Sequence, residues 1–311
     1  IKVMPFRTFR LNLSVCAPYN ADFDGDEINL HIPQTEESQV EAGFLMAVPR
    51  NIRSPRFSGP IIGAVRDHIT GLYLLTKGDR KFSREDVVQL VKTIDINLEL
   101  PEKESFTGKE IFSLFLPKDF SIEFKSKSGD HVLIKNGKLL EGTIDKAAVG
   151  AEGGKIIDRI EKLYGSENAK KFIFNVTRLA IGFLMKLGFS ISISDQDLSE
   201  KAREEIKEIV EKIRKDVDEN IKKFERSELK ILGGRTPRES LDHEIKKIVR
   251  NGLNDVQKVL EKHIADNPTL AMVKSGARGD LVNIVQTAAM VGQEMIMGER
   301  VERGYYQRTF P

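Results

Sequence analysis

"PYNADFDGDEINLHIPQTEES", residues 18–38, places three aspartates, Asp22, Asp24 and Asp26, within five positions, separated by Phe23 and Gly25. Carboxylates this close repel: a pair at 4 Å costs roughly 1 kcal/mol in bulk water and about 4 at an effective dielectric of 20. Solvation, protonation or a cation relieves the repulsion. An acidic surface loop would need only the first. The flanks argue for more. Leu11, Leu13 and Val15 alternate before the cluster, and Ile28, Leu30 and Ile32 follow it, which is the period of a strand. Residues 1 to 33 are therefore expected to form strands around an acidic tip that leans on a core. Gly25 tolerates positive φ and suits a turn that aims three carboxylates at one point. Hard oxygen donors suit Mg²⁺, which takes one or a few carboxylates, keeps waters and often shares substrate phosphates.

Two other acidic motifs have comparable spacing. An EF-hand loop needs glycine at its sixth position and a glutamate at its twelfth. Counted from Asp22, the glycine falls at the fourth, and the twelfth is Pro33. The string is also similar to the D-x-D-G motif of haloacid-dehalogenase-type phosphatases. There Thr or Val follows the glycine and an apolar strand precedes the motif. Here Asp26 follows, and Pro18, Tyr19, Asn20 and Ala21 precede. This phosphatase is the enzyme alternative, and it requires βα alternation around residue 22.

The chain has 311 residues, 40% hydrophobic and 31% charged, a globular composition with room for about two domains. No apolar run reaches the roughly 18 residues of a membrane span. The opening "IKVMPFRTFR" lacks a signal-peptide core and an initiator methionine, so the chain is expected to be part of a longer one. Cys16 is the only cysteine, which excludes disulfides within the chain and cysteine zinc clusters and fits a reducing compartment. A net charge of +2 does not announce a nucleic-acid binder, whose domain is usually strongly basic. Many lysines and glutamates without tryptophan hint at a thermophile.

Further along, Thr35 is placed to cap a short helix carrying Val40, Phe44 and Leu45. "RNIRSPRFSGP", residues 50–60, is a basic loop with two prolines, solvated or, near a catalytic site, able to meet phosphate. Ile61, Val65, Ile69 and Leu72 have helical spacing. Ser83 with Asp86, and Thr107 with Glu110, resemble capping boxes. Asn136-Gly137 is the favoured two-residue hairpin turn. Phe172, Ile173, Val176, Leu179, Ala180 and Phe183 make a wide apolar helix face.

From Leu198 to Phe224 apolar residues recur every three or four positions among charges, with Glu208–Lys212, Glu211–Lys215 and Glu219–Lys223 as favourable pairs. A helix over 198–226 would be roughly 43 Å long. Gly233-Gly234 breaks it. Thr236, Pro237 and Glu239 start a second helix, which Asn267-Pro268 ends. The two narrow stripes predict an antiparallel helical hairpin. A glycine turn, Ser275 to Gly279, precedes a last helix from Asp280. Such turns can hold phosphate, but the Walker spacing is absent.

All seven residues from Asn20 to Asp26 match N-A-D-F-D-G-D, and the string resembles the catalytic loop of the largest subunit of multisubunit DNA-directed RNA polymerases. The match runs on through Glu27, Asn29, Leu30, His31, Pro33 and Gln34, with Ile28 where methionine is common. "FRLNLSV", "PIIGAVRDHITGLYLLT", "FTGKEIFSLFLP", "LLEGTIDKAAVG", "SGARGDLVNIVQTAAMVGQE" and the closing "RTFP" resemble family segments in the family's order. "RFSGPIIGAVRDHITG" reads closest to archaeal forms, with eukaryotic polymerase III the nearest rival.

The resemblance implies an α+β fold in four parts. Residues 1–50 would be the C-terminal part of a double-psi β-barrel carrying the catalytic loop. Residues 51–195 would be a mixed α/β pore region, 196–267 the funnel hairpin, and 268–311 the segment leading toward the bridge helix. It implies nucleotidyl transfer with Mg²⁺ on Asp22, Asp24 and Asp26, and a second metal arriving with the NTP. Asn20 would approach the ribose, and Arg278 and Gln293 would line the secondary channel near NTP phosphates or backtracked RNA. Arg278 stands where some relatives have lysine. The implied partners are the second-largest subunit, the rest of the largest subunit, template DNA, transcript RNA, NTPs and a transcript-cleavage factor at the funnel, with no membrane. The implied setting is the archaeal cytoplasm at the nucleoid, or the nucleus of a eukaryote. Clamp, bridge helix and trigger loop would lie outside the chain, so no polymerisation is expected from it alone. A non-catalytic interaction module built on the hairpin is the remaining alternative, and metal binding at the three aspartates separates the two.

Overall fold

The computed structural model describes residues 2–94, 98 and 100–300. The Arg-Thr-Phe-Pro ending lies outside them. Among the described residues up to 33 there is no strand, contrary to the expectation from alternation. Leu13–Val15 form a 3₁₀ turn and Cys16–Tyr19 a short helix, α1. A strand without a neighbour leaves its N–H and C=O groups unpaired, and no described segment pairs with this one. Instead the Asn12 side chain accepts the Ser14 N–H at 2.9 Å and turns the chain. Ser14 is buried and Val15 packs on the core. Phe23, Ile28, Leu30 and Ile32 are exposed, so the acidic loop does not lean on a core here. Helix α2 (Glu36–Phe44) starts where expected, with Thr35 accepting the Ser38 N–H at 3.2 Å.

The chain forms two compact units. Among the described residues, one comprises those up to 190 together with 271–279; the other comprises 191–270 and 280–300. In the first unit, α3 (Asp67–Thr76) begins later than its apolar spacing suggests. Ala64 is held as a β-bridge to Gly150, donating to the Val149 carbonyl at 2.8 Å and accepting from the Ala151 N–H at 3.1 Å. Arg66, at φ 47, breaks helical continuity. Strand β1 (Lys81–Ser83) leads into α4 (Arg84–Ile94), and β2 (Ser105–Thr107) into α5 (Gly108–Ser113); the two strands pair antiparallel. Both helices carry the expected reciprocal caps, Ser83 with Asp86 and Thr107 with Glu110. Strands β3 (Ile122–Lys125), β4 (His131–Lys135) and β5 (Lys138–Glu141) form an antiparallel meander. Asn136 and Gly137, at φ 48 and 70, make its tight turn; positive φ at both positions is what a type I′ hairpin requires.

Helices α6 (Lys146–Val149), α7 (Lys155–Tyr164) and α8 (Ser166–Leu187) complete this unit. α8 is the axis of the core, with α3, α4 and α7 packed on it. It buries Phe172, Ile173, Val176, Leu179, Ala180 and Phe183, the face that the spacing predicts. Gly71 lets α3 approach: a Cβ there would lie 2.6 Å from the Ala180 carbonyl oxygen. Phe183 meets Phe82 edge-on at 5.9 Å between centroids, and Phe172 meets Phe112 at 6.2 Å. Such pairs contribute roughly 0.5–1.5 kcal/mol each beyond area burial. In the loop 50–60, Arg53 donates to Asp158 at 2.9 Å and to Glu161 at 3.0 Å, and also bonds the Ser58 carbonyl. The Arg50 guanidinium lies 3.6 Å from the Phe44 ring centroid.

In the second unit, α9 (Glu200–Glu225) and α10 (Pro237–His263) pack against each other. Glu205 meets His263 at 3.2 Å, and Gly252 faces Ile213 so closely that a Cβ would fall 2.1 Å from Ile213 Cδ1. These pairings require opposite chain directions. Thr236 and Glu239 cap α10 reciprocally. α11 (Pro268–Ser275) lies where the chain passes between units, and α12 (Leu281–Ala288) packs on α10. Ile206, Val256, Leu260 and Val285 form a small core. β6 (Met295–Ile296) and β7 (Glu299–Arg300) pair antiparallel. The fold is α+β: long helices with small antiparallel sheets. No helix among the described residues is long and apolar enough to cross a membrane.

Candidate metal centre

The acidic loop is launched by the end of α1. The Asn20 N–H donates to the Ala17 carbonyl and the Ala21 N–H to the Cys16 carbonyl, both at 3.1 Å. This is a Schellman closure, which needs a left-handed residue. Asn20 supplies it at φ 49, ψ 41; asparagine tolerates that region better than most residues. Gly25 reverses the chain at φ 129, with open space where a Cβ would be. The Asp22 N–H then donates to the Asp26 carboxylate at 3.0 Å and folds the loop on itself.

One carboxylate oxygen from each of Asp22, Asp24 and Asp26 lies within 4.8 Å of the others, and all three residues are exposed. Asp22 is held above the ordinary carboxylate range, first by its side-chain hydrogen bond with Asp24, then by partial desolvation and by the charge of Asp24. The pair thus shares a proton more readily than an isolated aspartate would. A divalent cation would relieve the same crowding. Metal–oxygen distances of about 2.0–2.1 Å set ligand oxygens at most ~4.2 Å apart across an octahedral ion. The three oxygens, within 4.8 Å of one another, stand near that spacing. Three anionic oxygen donors with solvent access fit Mg²⁺, which keeps several waters. The phosphatase motif would need an apolar strand before Asp22, and α1 stands there instead.

The other residues singled out from sequence are placed as follows. Asn20 is exposed and two positions before the first aspartate. Arg278 is exposed in the glycine turn of the first unit. No hydrogen bond or ion pair joins it to the aspartates among the described residues. Gln293 belongs to the second unit, where its Nε2 donates to the Glu294 carbonyl at 3.0 Å.

Sequence reasoning missed the surroundings of the glycine turn at Gly276. Gly276, at φ 75, has no Cβ, and that space is filled by Lys127 and Lys146: Lys127 Nζ would lie 3.1 Å and Lys146 Cβ 3.0 Å from it. The Lys127 backbone is held by Asp145, which directly precedes Lys146 in the chain and is fully buried. Its carboxylate accepts from the N–H groups of Lys127 and Ser128 in one loop and of Ala147 and Ala148 at the start of α6. Burial pushes Asp145 up, and the four donors oppose that shift. The N-cap role of Asp145 was readable from its place before Lys146-Ala147-Ala148. Its grip on Lys127, 18 residues away, was not.

Three family profiles match this chain: "RNA polymerase Rpb1, domain 2" over residues 1–48, "domain 3" over 51–196 and "domain 4" over 221–311. Similar curated proteins carry the name "DNA-directed RNA polymerase subunit Rpo1N". That of Methanothermobacter thermautotrophicus is 42% identical, with all of this chain matched to 38% of that protein. That of Halobacterium salinarum is 44% identical over 99% of this chain and 33% of its own. That of Sulfolobus acidocaldarius is 39% identical over 99% and 38%. The chain therefore spans little more than a third of the length of the relatives it matches.

Proposed function

The chain belongs to the family of DNA-directed RNA polymerase largest subunits, in its archaeal N-terminal form, and we propose that it is the segment carrying that polymerase's catalytic metal loop. The observation that carries this reading is the convergence of one carboxylate oxygen from each of Asp22, Asp24 and Asp26 within 4.8 Å of one another. These carboxylates would hold Mg²⁺. Such an ion would supply charge stabilisation at the RNA 3′ hydroxyl, and a second, arriving with the NTP, would do so at its triphosphate. The chain's own part is positional. The Schellman closure at Asn20 and the Asp22–Asp26 hydrogen bond aim the three carboxylates. Asn20 would offer its amide to the ribose 2′ hydroxyl of an incoming NTP. Residues 1–50 would complete a double-psi barrel with upstream sequence, which would also pair the backbone left unpaired here.

Residues 51–195 would form the pore, and the α9–α10 pair the funnel beside the secondary channel, through which NTPs enter and backtracked RNA exits. Arg278 and Gln293 would line that channel. Lys127 and Lys146 pack beside Gly276, two residues before Arg278, and would add positive charge near that turn. Template DNA, RNA, the second-largest subunit and a cleavage factor at the funnel are the partners of this reading, and the fragment alone would be inactive.

The test is primer extension by a polymerase assembled with the full-length subunit. Wild type is expected to extend RNA on a DNA template only with Mg²⁺. Asp24→Asn is expected to assemble and lose at least about 10³-fold in rate, several kcal/mol of transition-state stabilisation. Wild-type rates from an assembled Asp24→Asn enzyme would make the loop structural.

A further inference from the structure

Ser14 is 5% exposed, and its Oγ finds no hydrogen-bond partner among the described residues. A buried hydroxyl left unpaired is costly to a fold. The Ser14 N–H is taken by the Asn12 side chain; the hydroxyl is not. Ser14 lines a cavity of about 120 Å³ within the first unit, where α8 faces the 3₁₀ turn and the chain at Val48 and Ile52. Val48, Ile52, Ile173 and Phe174 make its walls apolar. Other polar groups around it are engaged: the Thr177 hydroxyl donates to the Ile173 carbonyl at 2.8 Å, and Lys170 pairs with Glu167 at 2.5 Å. Apolar cavities of about 150 Å³ stay dry and accept a group the size of benzene. This one, apolar but for a single unpaired hydroxyl, has the size and lining for one aliphatic side chain accompanied by a hydrogen-bond acceptor.

We propose that the sequence preceding Ile1 in the full-length subunit seats an aliphatic side chain in this cavity, with a backbone carbonyl that accepts the Ser14 hydroxyl, and so holds the root of the metal loop. This rests on the polymerase reading, in which upstream sequence completes the barrel. Three observations select that occupant over a separate protein. The chain matches only 38% of the Methanothermobacter relative, so the full-length subunit has sequence to supply. Eleven residues separate Ile1 from Asn12, at most about 40 Å when extended, and a segment tethered so closely acts at an effective concentration on the order of millimolar. The backbone of the residues up to 33 has no strand partner among the described residues, and the same incoming segment would supply one. The seat matters to the site because of where Ser14 stands. It lies two residues before α1, whose end launches the acidic loop through Asn20. Fixing Ser14 fixes α1, and α1 aims Asp22. Ser14 is thus a positioning residue, acting through α1.

Photo-cross-linking tests this in the polymerase assembled with the full-length subunit, with a benzophenone side chain in place of Phe174, whose ring is half-exposed at the cavity. The expected product is a cross-link within the subunit, to an aliphatic residue upstream of Ile1. Ser14→Leu fills the cavity from its floor and is expected to cut that yield about tenfold. It should also raise the Mg²⁺ concentration for half-maximal RNA extension about fivefold, with the rate at saturating Mg²⁺ within about twofold of wild type. Ser14→Ala removes only the hydroxyl and should lose about threefold in yield. Glycine at the upstream residue so identified should reproduce the Ser14→Leu effects without altering the residues that line the cavity. A cross-link to another subunit, to residues 1–311 or to nothing overturns the seat. So does an unchanged Mg²⁺ requirement in the upstream glycine variant. RNA extension by wild type reads the enzyme assignment separately. Extension without the cross-link sinks only the seat, and assembly without extension sinks the polymerase reading.

Discussion

The Asp22 N–H donates to the Asp26 carboxylate across 3.0 Å, while the Asp22 side chain shares a hydrogen bond with Asp24. One residue thus ties both of its acidic neighbours, through two different groups. The tie to Asp24 raises the Asp22 pKa. A cation must displace that proton, so Mg²⁺ affinity rises with pH until Asp22 has titrated and is flat above. Asp24→Asn removes the neighbouring charge and should return the Asp22 titration toward the ordinary range. Carboxyl ¹³C shifts followed against pH, with and without Mg²⁺, measure both.

Asn20 is expected to do two separable things. Asn20→Gly keeps the left-handed closure and loses the amide. Asn20→Ala loses the amide and places a Cβ at φ 49, a strain of about 1 kcal/mol. Both variants should lose NTP-over-dNTP selectivity in the assembled enzyme to a similar extent, while only the alanine variant loses loop order. Competition extension assays and limited proteolysis distinguish the two effects.

Asp145 is the most heavily bonded carboxylate described. Asp145→Ala strands four backbone donors around a buried site. A loss of about 2–4 kcal/mol is expected, since each unpaired buried group costs roughly 1–3 kcal/mol and partial hydration recovers some. Asp145→Asn retains an acceptor oxygen and should lose less. Urea denaturation of the subunit ranks the two.

Asp86 is pulled from 3.8 to about 2, first by Lys186 and then by the hydroxyl and N–H of Ser83. A carboxylate depressed on folding stabilises the folded state above its unfolded value, and that contribution disappears as pH falls through the folded one. The window here runs from about 4 down to about 2. Asp86→Asn should flatten the stability–pH curve there, and Lys186→Met should do so in part. Thermal melts across that range give the answer.

Local grammar was legible in the sequence where a few adjacent residues decide the outcome. The caps at Thr107 and Thr236 depend on a side chain and an N–H three positions on, and they occur as expected. The Asn136-Gly137 turn and the apolar stripe of α8 are local in the same sense. The strands expected before residue 33 fail because pairing is not local: alternation says which side chains share a face, never whether a neighbour exists to take the backbone hydrogen bonds. Ala64 fails likewise, since Gly150 claims it for a bridge. At the site, the three aspartates declared themselves by spacing. Lys127 and Lys146 did not, because Asp145 brings them together from separate segments.

The grip of Arg53 on Asp158 and Glu161 changes what the loop at 50–60 offers a polyanion. Three arginines occur in that stretch, yet Arg53 is already neutralised within the protein, leaving Arg50 and Arg56 exposed. Each phosphate neutralised on duplex DNA releases condensed counterions and steepens the salt dependence of log K by about 0.9. A duplex laid on this loop would therefore gain a slope of about 1.8 from it, where a count of basic residues would give about 2.7. Deleting Glu161 and Asp158 together would free the third charge, making the loop's grip on nucleic acid stronger at low ionic strength and more easily washed away by salt.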